Sequence, residues 1–290
     1  MTFAATQQQQ QSNSLMAISD AEFTRLRDLI YQRFGINLTE QKRSLLVGRL
    51  QKLMRQLNLP TFSAYFDYLD QDKTEAGLSE LVDLISTNHT YFNREKDHFD
   101  YFSQTALPAV IDKLKKQNRK DLRIWCAGCS SGEEPYTLLM LMMEYLGADY
   151  SSWDAGILAT DISDRALTVA RRGTYATDRV MQLPEPLRRK YFTAAGQGEM
   201  AVVDKIKKEA TFRRFNLMNT TFPFKKPFQM VFCRNVMIYF DQTTRESLVS
   251  RYHQHTEPGG YLFIGHSETL GRSQTLYRYL KPALYQKGEL

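Results

Sequence analysis

The residues with the clearest chemical potential lie in the stretch 123–139, which reads Arg-Ile-Trp-Cys-Ala-Gly-Cys-Ser-Ser-Gly-Glu-Glu-Pro-Tyr-Thr-Leu-Leu. A pyrophosphate site at such a glycine loop needs a G-x-G-x-x-G spacing and a helix start whose bare N–H groups face an anion. Here Ser130 replaces the middle glycine, and Glu133 and Glu134 place negative charge at the helix start. The loop therefore disfavours NAD and favours a ligand with cationic groups, with Gly128 and Glu134 as candidate contacts.

The same stretch predicts the elements that carry this loop. The apolar run 122–127 indicates a buried strand. Pro135 falls near the first turn of the following helix, where its missing N–H costs nothing. A strand, a glycine loop and a helix in this order open a nucleotide-binding α/β sheet. S-adenosylmethionine, which bears a sulfonium and an ammonium group, fits this site, and S-adenosylhomocysteine would be the product.

Further polar residues follow other predicted strands. Asp161 ends the strand 156–161, where a Rossmann-like fold places an acid against ribose hydroxyls. The third strand carries Cys233, Arg234 and Asn235 at its carboxyl end, the edge at which open α/β sheets bind ligands. Asn216 could contact an adenine edge or could simply serve as a turn residue.

Strands and helices alternate through the second part of the chain, which predicts a mostly parallel, doubly wound Rossmann-like α/β domain over 106–290. Glycines at 196 and 198 before Ala-Val-Val indicate a small β-subdomain at about 191–214. The other predicted segments are strands 230–233 and 261–265, helices 135–146 and 164–172, and an aromatic-rich strand pair at about 277–286.

The first part of the chain predicts helices only. Residues 1–17 form a polar, glutamine-rich tail that we expect to be disordered. Ser19 and Glu22 form a capping-box signature before apolar residues at helical spacing, and Gly35 marks the helix end. An all-helical domain over 18–86 follows, with further helical segments at 39–57, 61–69 and 76–86, and 87–105 is expected to link it to the catalytic domain.

The second of these helices should bury Leu46, Leu50, Leu53 and Leu57. Its polar face is basic, with no acidic residue from 41 to 64. Most solvated faces mix the two signs of charge, so this face is a candidate surface for an acidic partner, the alternative being ordinary solvation. We define the basic face as Lys42, Arg43, Arg49, Lys52 and Arg55.

Composition sets broad limits. The 290 residues carry a net charge of +6 and are 42% hydrophobic, which is typical of a globular protein. The sequence has no apolar run of membrane-spanning length and no signal-peptide pattern, so we expect a cytoplasmic protein without membrane insertion or a nucleic-acid partner. Three cysteines make no disulfide framework. We expect packed, reduced thiols and no metal; a redox or metal role for Cys126 and Cys129 is the alternative.

Four separated motifs together resemble the CheR family, the chemotaxis receptor glutamate methyltransferases. They are Asn88-x-Thr-x-x-x-Arg94-Glu, Ser-Ser-Gly-Glu-Glu-Pro-Tyr136, Phe-Cys-Arg-Asn-Val-Met-Ile-Tyr239-Phe and Gly265-His-Ser-Glu268. The resemblance extends from about residue 18 to the end of the chain. It implies methylation of glutamates on the cytoplasmic helices of receptors, with S-adenosylmethionine as the donor and glutamate methyl esters as the product.

The resemblance also implies site residues. Positions matching Arg94 and Tyr239 lie near the transferred methyl, and Arg49, Lys52 and Arg55 fall on the element that meets the receptor. Some members bind a receptor tether peptide through the β-subdomain, but this chain is shorter there, so we expect no tether and a monomer. The implied cofactor contacts are Asn88, Thr90, Arg94, Glu134, Asp161, Asn216, Leu217, Cys233, Arg234 and Asn235.

Methyl transfer to a carboxylate is an in-line displacement. The acceptor glutamate is already ionised at pH 7, so no general base is needed and the enzyme chiefly positions the reactants. Arg94 could hold the second acceptor oxygen. Tyr239 could line the path of the methyl or could pack as an ordinary aromatic residue. The remaining alternatives are a small-molecule methyltransferase, which would leave the basic face unexplained, and a binding module without turnover.

Overall fold

The computed structural model describes residues 17–270 and 276–289. The predicted disordered tail, 1–17, therefore lies outside the described residues except for its last position. The chain divides into two compact units, which meet in sequence between Thr87 and Asn88. Among the described residues, no helix is both long and apolar enough to cross a bilayer.

The first unit is helical, as predicted. Its first helix ends at Gly35, whose φ of 69° is left-handed, and the predicted capping box is confirmed: Ser19 Oγ accepts from the Glu22 amide at 3.2 Å while the Glu22 carboxylate accepts from the Ser19 amide at 2.9 Å. The helices are α1 Asp20–Phe34, α2 Arg43–Gln56, α3 Phe62–Gln71 and α4 Ala76–Ile85, with a 3₁₀ turn at Glu40–Lys42 before α2.

The buried face of α2 differs from the prediction in its second half. Leu46 and Leu50 are buried as expected, but the next buried apolar residue is Met54. Leu53 and Leu57 are only half-buried. Gln51 is also buried, so the buried face is centred toward Leu50, Gln51 and Met54; Leu53 lies at its edge, and Leu57 lies beyond the last residue of the helix.

The second unit is built on a seven-stranded sheet in the order β6-β2-β1-β7-β8-β10-β9, in which the first five strands are parallel and β10 is antiparallel to both of its neighbours, β8 and β9. This confirms the predicted fold class. The strands of this sheet are β1 Asp121–Ala127, β2 Asp154–Asp161, β6 Ala210–Arg214, β7 Phe228–Cys233, β8 Thr256–Ile264, β9 Arg278–Lys281 and β10 Leu284–Gln286.

The second unit also contains helices. The one that follows β1 matters most for the site, because it begins at the edge at which the parallel strands end. The helices are α5 Lys96–Tyr101, α6 Leu107–Lys116, α7 Glu133–Leu146, α8 Asp164–Arg172, α9 Thr177–Val180, α10 Glu185–Tyr191, α11 Asp204–Lys207 and α12 Gln242–His255, with a π-helical turn at Phe102–Ala106 and 3₁₀ turns at Gly147–Ser152 and Met237–Tyr239.

Two predicted boundaries need correction. A separate three-stranded antiparallel sheet joins β3 Thr174–Ala176, β5 Glu199–Val202 and β4 Phe192–Ala194, so the β-subdomain begins near 174 rather than 191. The segment 210–214 instead pairs with β2 in the main sheet. The stretch 87–105 is not simply a linker, since most of it belongs to the second unit and contains α5. Local turn signals could not reveal either long-range pairing.

The three cysteines are free and buried, as the packed-thiol interpretation expects. Burial raises the pKa of each thiol well above its ordinary value. A thiolate is the form that reacts and binds metal, so these surroundings work against the redox and metal alternatives.

Candidate functional site

The glycine loop between β1 and α7 has backbone geometry that requires its glycines. Gly128 has φ of 98°, and an added Cβ would lie 2.3 Å from Val236 Cγ2. Gly132 has φ of 96°, and its added Cβ would lie 3.0 Å from the Ala170 side chain. Any larger residue would force the loop away from the neighbouring segments, so these two glycines allow the tight strand-to-helix turn.

Asp161, at the end of β2, holds this loop directly. Its Oδ2 accepts from the Ser130 amide at 2.8 Å, and its Oδ1 accepts from the Ser163 amide at 2.9 Å. The residue is only 8% exposed. Asp161 therefore joins the start of α8 to the glycine loop; its predicted contact with a ribose stays a prediction.

Asn88 and Thr90 lie beside the same loop. Asn88 Nδ2 donates to Ser163 Oγ at 3.2 Å, and the Asn88 carbonyl accepts from Ser130 Oγ at 3.3 Å. The Thr90 carbonyl accepts from Arg179 at 2.9 Å. The segment that precedes α5 is thus brought to the loop through backbone and side-chain contacts that sequence spacing alone does not reveal.

The two adjacent glutamates face different surroundings. Glu133 is fully buried, forms an ion pair with Arg179 and accepts from Ser131 Oγ at 2.7 Å. Glu134 instead pairs with Arg234 at 2.8 Å. Both carboxylates lie at the helix start, but Glu133 contributes to the interior and Glu134, the candidate cofactor contact, turns toward the end of β7.

Arg234 connects the elements around this edge. Its Nη1 donates to Glu134 at 2.8 Å, and its Nη2 donates to Glu95 at 3.0 Å and to the Arg94 carbonyl. Only 3% of the Arg234 side chain is exposed, and the guanidinium lies 5.1 Å from the centre of the Phe99 ring. We call Arg234, Glu95 and Glu134 the Arg234 network. Arg234 thus binds protein groups, and any direct contact with a cofactor stays a prediction.

Burial and ion pairing shift the two carboxylates of the network in opposite directions. Burial raises the pKa of Glu134 above its ordinary value, and the pairing with Arg234 offsets only part of this effect. Burial also raises the pKa of Glu95, but the Arg234 charge and hydrogen bonds from Asn235 and Arg234 outweigh it, so that pKa is lowered. Glu134 is therefore the carboxylate that would gain most from an additional cationic partner.

The turn after β7 is fixed by Glu268. Its carboxylate accepts from the amides of Gly265 at 2.5 Å, Asn235 at 3.0 Å and Ile238 at 3.1 Å. Asn235 has a left-handed φ of 59°, and Gly265 leaves no room for a Cβ, which would lie 2.4 Å from Asn235 Nδ2. The Cys233 sulfur accepts from Tyr252 at 3.1 Å. The Cys233–Asn235 turn is thus fixed by contacts with Glu268, Gly265 and Tyr252.

Arg94 and Tyr239 are both only partly buried. Arg94 Nη1 donates to the His89 carbonyl at 2.7 Å, and its guanidinium lies 6.0 Å from the centre of the Tyr91 ring. Tyr239 ends the 3₁₀ turn that follows β7. Since the Arg94 carbonyl also binds Arg234, the network connects the segments that carry both residues; their roles at the methyl stay predictions.

Asn216 and Leu217 follow β6. Asn216 Oδ1 accepts from the Met218 amide at 2.9 Å, which is the turn role that the sequence left open. Leu217 is buried, at 8% exposure. Contact of either residue with an adenine stays a prediction.

The basic face of α2 divides into engaged and exposed cations. Arg49 is half-buried and donates to the Leu84 carbonyl at 2.7 Å. Arg43 pairs with Asp20 at 2.7 Å. Lys52 and Arg55 are exposed. Of the three predicted receptor contacts, Arg49 therefore helps hold its own unit together, and the other two lie at the surface.

Sequence reasoning assigned no role to Glu95, Ser163 or Glu268. Glu95 and Glu268 stand inside the quoted motifs, and that position was the only available signal. Ser163 is the N-cap of α8, where its Oγ accepts from the Ala166 amide at 3.0 Å. All three act through backbone or buried contacts, which residue type alone does not show.

Comparison with known proteins identifies the family. The family model described as CheR methyltransferase, SAM binding domain, matches residues 88–285, and the one described as CheR methyltransferase, all-alpha domain, matches 21–86. A chemotaxis protein methyltransferase of Borreliella burgdorferi is 42% identical over 280 residues, covering 97% of this chain and 99% of that protein.

Other relatives agree. Chemotaxis protein methyltransferase 2 of Pseudomonas aeruginosa is 35% identical over 91% of this chain and 92% of its own length. The chemotaxis protein methyltransferase of Escherichia coli is 34% identical, with 93% of this chain and 95% of that protein covered. Two family models in the expected order and relatives that match along nearly their whole length lead to one assignment. The chain belongs to the CheR family of S-adenosylmethionine-dependent chemotaxis protein methyltransferases.

Proposed function

We propose that this protein transfers a methyl group from S-adenosylmethionine to glutamate side chains on the cytoplasmic helices of chemotaxis receptors and forms glutamate methyl esters. The observation that carries the proposal is the buried Arg234 network. It links Glu134, on the proposed cofactor side of the sheet edge, to the backbone of Arg94, on the proposed acceptor side.

The donor side suits S-adenosylmethionine. When bound, this cofactor supplies a methyl group activated by a sulfonium. Glu134 would face its ammonium group, since a largely buried carboxylate is stabilised by a nearby cation. Gly128 permits close backbone approach, and Asp161 holds the loop in place. The remaining proposed contacts are Asn88, Thr90, Asn216, Leu217, Cys233, Arg234 and Asn235.

The acceptor side needs a cation and an open approach. Arg94 would orient the acceptor carboxylate through a planar fork of N–H groups, since its hydrogen bond to the His89 carbonyl engages only Nη1. Tyr239 would line the path of the methyl. Because a glutamate is already ionised at pH 7, these residues align the attacking oxygen and remove no proton.

Receptor docking would use the exposed part of the basic face. Lys52 and Arg55 would attract glutamate-rich receptor helices and raise the encounter rate. We further propose a cytoplasmic monomer that acts without a receptor tether peptide. A small-molecule methyltransferase would give this helix no role.

The decisive experiment incubates the chain with methyl-labelled S-adenosylmethionine and a receptor cytoplasmic fragment. Methyl esters release methanol in mild alkali, so alkali-volatile label in the receptor band is the expected result. The control is the same fragment with its candidate glutamates changed to alanine. Label in small carboxylic acids but not in the receptor would contradict the proposal, and cofactor binding without any transfer would favour a binding module.

A further inference from the structure

A cluster of potential metal ligands shares Glu95 with the Arg234 network, and its two histidines have no role in the proposed methyl transfer. Glu95, His98 and His266 each offer one donor atom, and the three donor atoms lie within 4.8 Å of one another. Glu95 is the N-cap of α5, His98 lies in the first turn of that helix, and His266 lies two residues after the end of β8. We call these residues the histidine cluster.

His98 is the unusual member of the cluster. It is completely buried, and neither ring nitrogen has a hydrogen-bond partner among the residues that the structure describes. Its Nδ1 lies 3.4 Å from Glu95 Oε2, and its ring centre lies 4.6 Å from that of His266. Buried imidazole nitrogens are normally satisfied, so this side chain calls for a ligand or another explanation.

The separation of one pair of donor atoms in the cluster matches that of two ligands on a shared cation. Two ligands that each bind a tetrahedral zinc at about 2.0–2.1 Å lie about 3.4 Å from each other. This is the separation of His98 Nδ1 and Glu95 Oε2. Two histidines with one glutamate are a known zinc ligand set.

Neighbouring groups orient the cluster. Asp97 contacts His266 Nε2 at 3.1 Å, the type of outer-shell carboxylate that commonly fixes a ligating histidine. Glu95 also accepts from Asn235 Nδ2 at 3.1 Å and from Arg234 at 3.0 Å. The Arg234 charge opposes a cation here, while the carboxylates of Glu95 and Asp97 compensate for it.

We propose that Glu95, His98 and His266 form a binding site for Zn²⁺ beside the Arg234 network, with which it shares Glu95. All three cysteines are buried, so exposed thiols do not compete for the ion. The inference concerns metal binding alone and does not depend on the proposed receptor substrate.

The test is zinc titration of the full chain, prepared without a polyhistidine tag, stripped with a chelator and dialysed. Calorimetry should show one Zn²⁺ per chain. His266→Ala is the main variant because His266 is 44% exposed, whereas His98→Ala would open the core. We expect His266→Ala to weaken zinc binding more than about 10-fold, and Asp97→Asn about 10-fold, as losses of a ligand and of its outer-shell partner.

His253→Ala is the matched control, since His253 is another partly exposed imidazole outside the cluster. Co²⁺ provides a second measurement that does not depend on heat release: its visible absorption should be intense in the wild type and His253→Ala and weak in His266→Ala. Equal zinc affinity in the wild type and His266→Ala, or no saturable binding at all, would overturn the proposal.

Discussion

Arg234 and the cations of α2 carry the same charge in opposite surroundings. Arg234 is 3% exposed and touches two carboxylates and a carbonyl. Lys52 and Arg55 are exposed on the helix surface. A buried ion pair has lost its hydration, so removal of one partner leaves the other as an uncompensated buried charge. An exposed charge keeps its hydration and contributes little to stability by itself. The first arrangement gives a fixed geometry and the second a long-range attraction.

The largest effect should follow from removing the buried cation. Arg234→Met leaves Glu95 and Glu134 without their shared partner, and we expect the free energy of unfolding to fall by about 3–5 kcal/mol. Urea denaturation measures this change. Arg55→Met is the exposed control, for which we expect a change within about 0.5 kcal/mol. Equal free energies of unfolding for the two variants would contradict the expectation that the buried cation stabilises the fold more than the exposed one.

Arg94 lies between the two extremes, because its backbone joins the network while its side chain is partly exposed. Loss of a charged hydrogen bond of about 1.5–3 kcal/mol corresponds to about a 10- to 100-fold lower methylation rate for Arg94→Ala. Arg94→Lys should recover only part of the rate, since a point charge does not replace a planar fork.

The Arg94 variants need a melting temperature beside each rate. We expect little change in melting temperature, and Arg165→Ala, at an exposed position on α8, serves as the control for a lost surface arginine. A near wild-type rate in Arg94→Ala would exclude Arg94 from orienting the acceptor.

The cofactor side should respond in binding, and Glu134→Ala should also lower stability because it removes one of the carboxylates paired with Arg234. Glu134→Ala and Asp161→Ala should each weaken S-adenosylmethionine binding by about 1–3 kcal/mol, measured by calorimetry. Asp161 also anchors the Ser130 and Ser163 amides, so Asp161→Asn should retain more affinity than Asp161→Ala. NAD should not compete. Unchanged affinity in Asp161→Ala would remove Asp161 from the site, and the exposed Glu185→Ala is the control.

Substitutions in the basic face should have the smallest effect per residue on methylation. Each exposed contact contributes less than about 1 kcal/mol, so Lys52→Glu and Arg55→Glu are combined. The double variant should methylate receptor fragments more slowly at limiting fragment, with unchanged cofactor affinity. Arg49 is left intact because its bond to the Leu84 carbonyl is structural.

Salt dependence separates docking from damage to the helix in this last experiment. Added salt screens exposed charges over about 8–10 Å. It should therefore lower the methylation rate of the wild type and reduce the difference in rate between the wild type and the double variant. Normal methylation by the double variant at low ionic strength would mean that receptors dock elsewhere.

The sequence by itself determined the local elements. The capping box and Gly35 predicted the limits of α1, and the apolar run, glycines and Pro135 predicted the β1–loop–α7 turn. These signals are local because backbone conformation depends on φ, on missing N–H groups and on hydrophobic spacing. The four motifs carried the family assignment.

Only the tertiary structure decided which charges meet. Glu133 and Glu134 are neighbours of the same type, yet a helix turns successive side chains by about 100°, so one faces the interior and the other faces Arg234. Glu95 and Arg234 are 139 residues apart and meet because their segments reach the same sheet edge. Arg49 in turn looked like a surface cation until α4 supplied the Leu84 carbonyl. Side-chain type specifies what a group can bind, but the packing of distant segments specifies what it does bind.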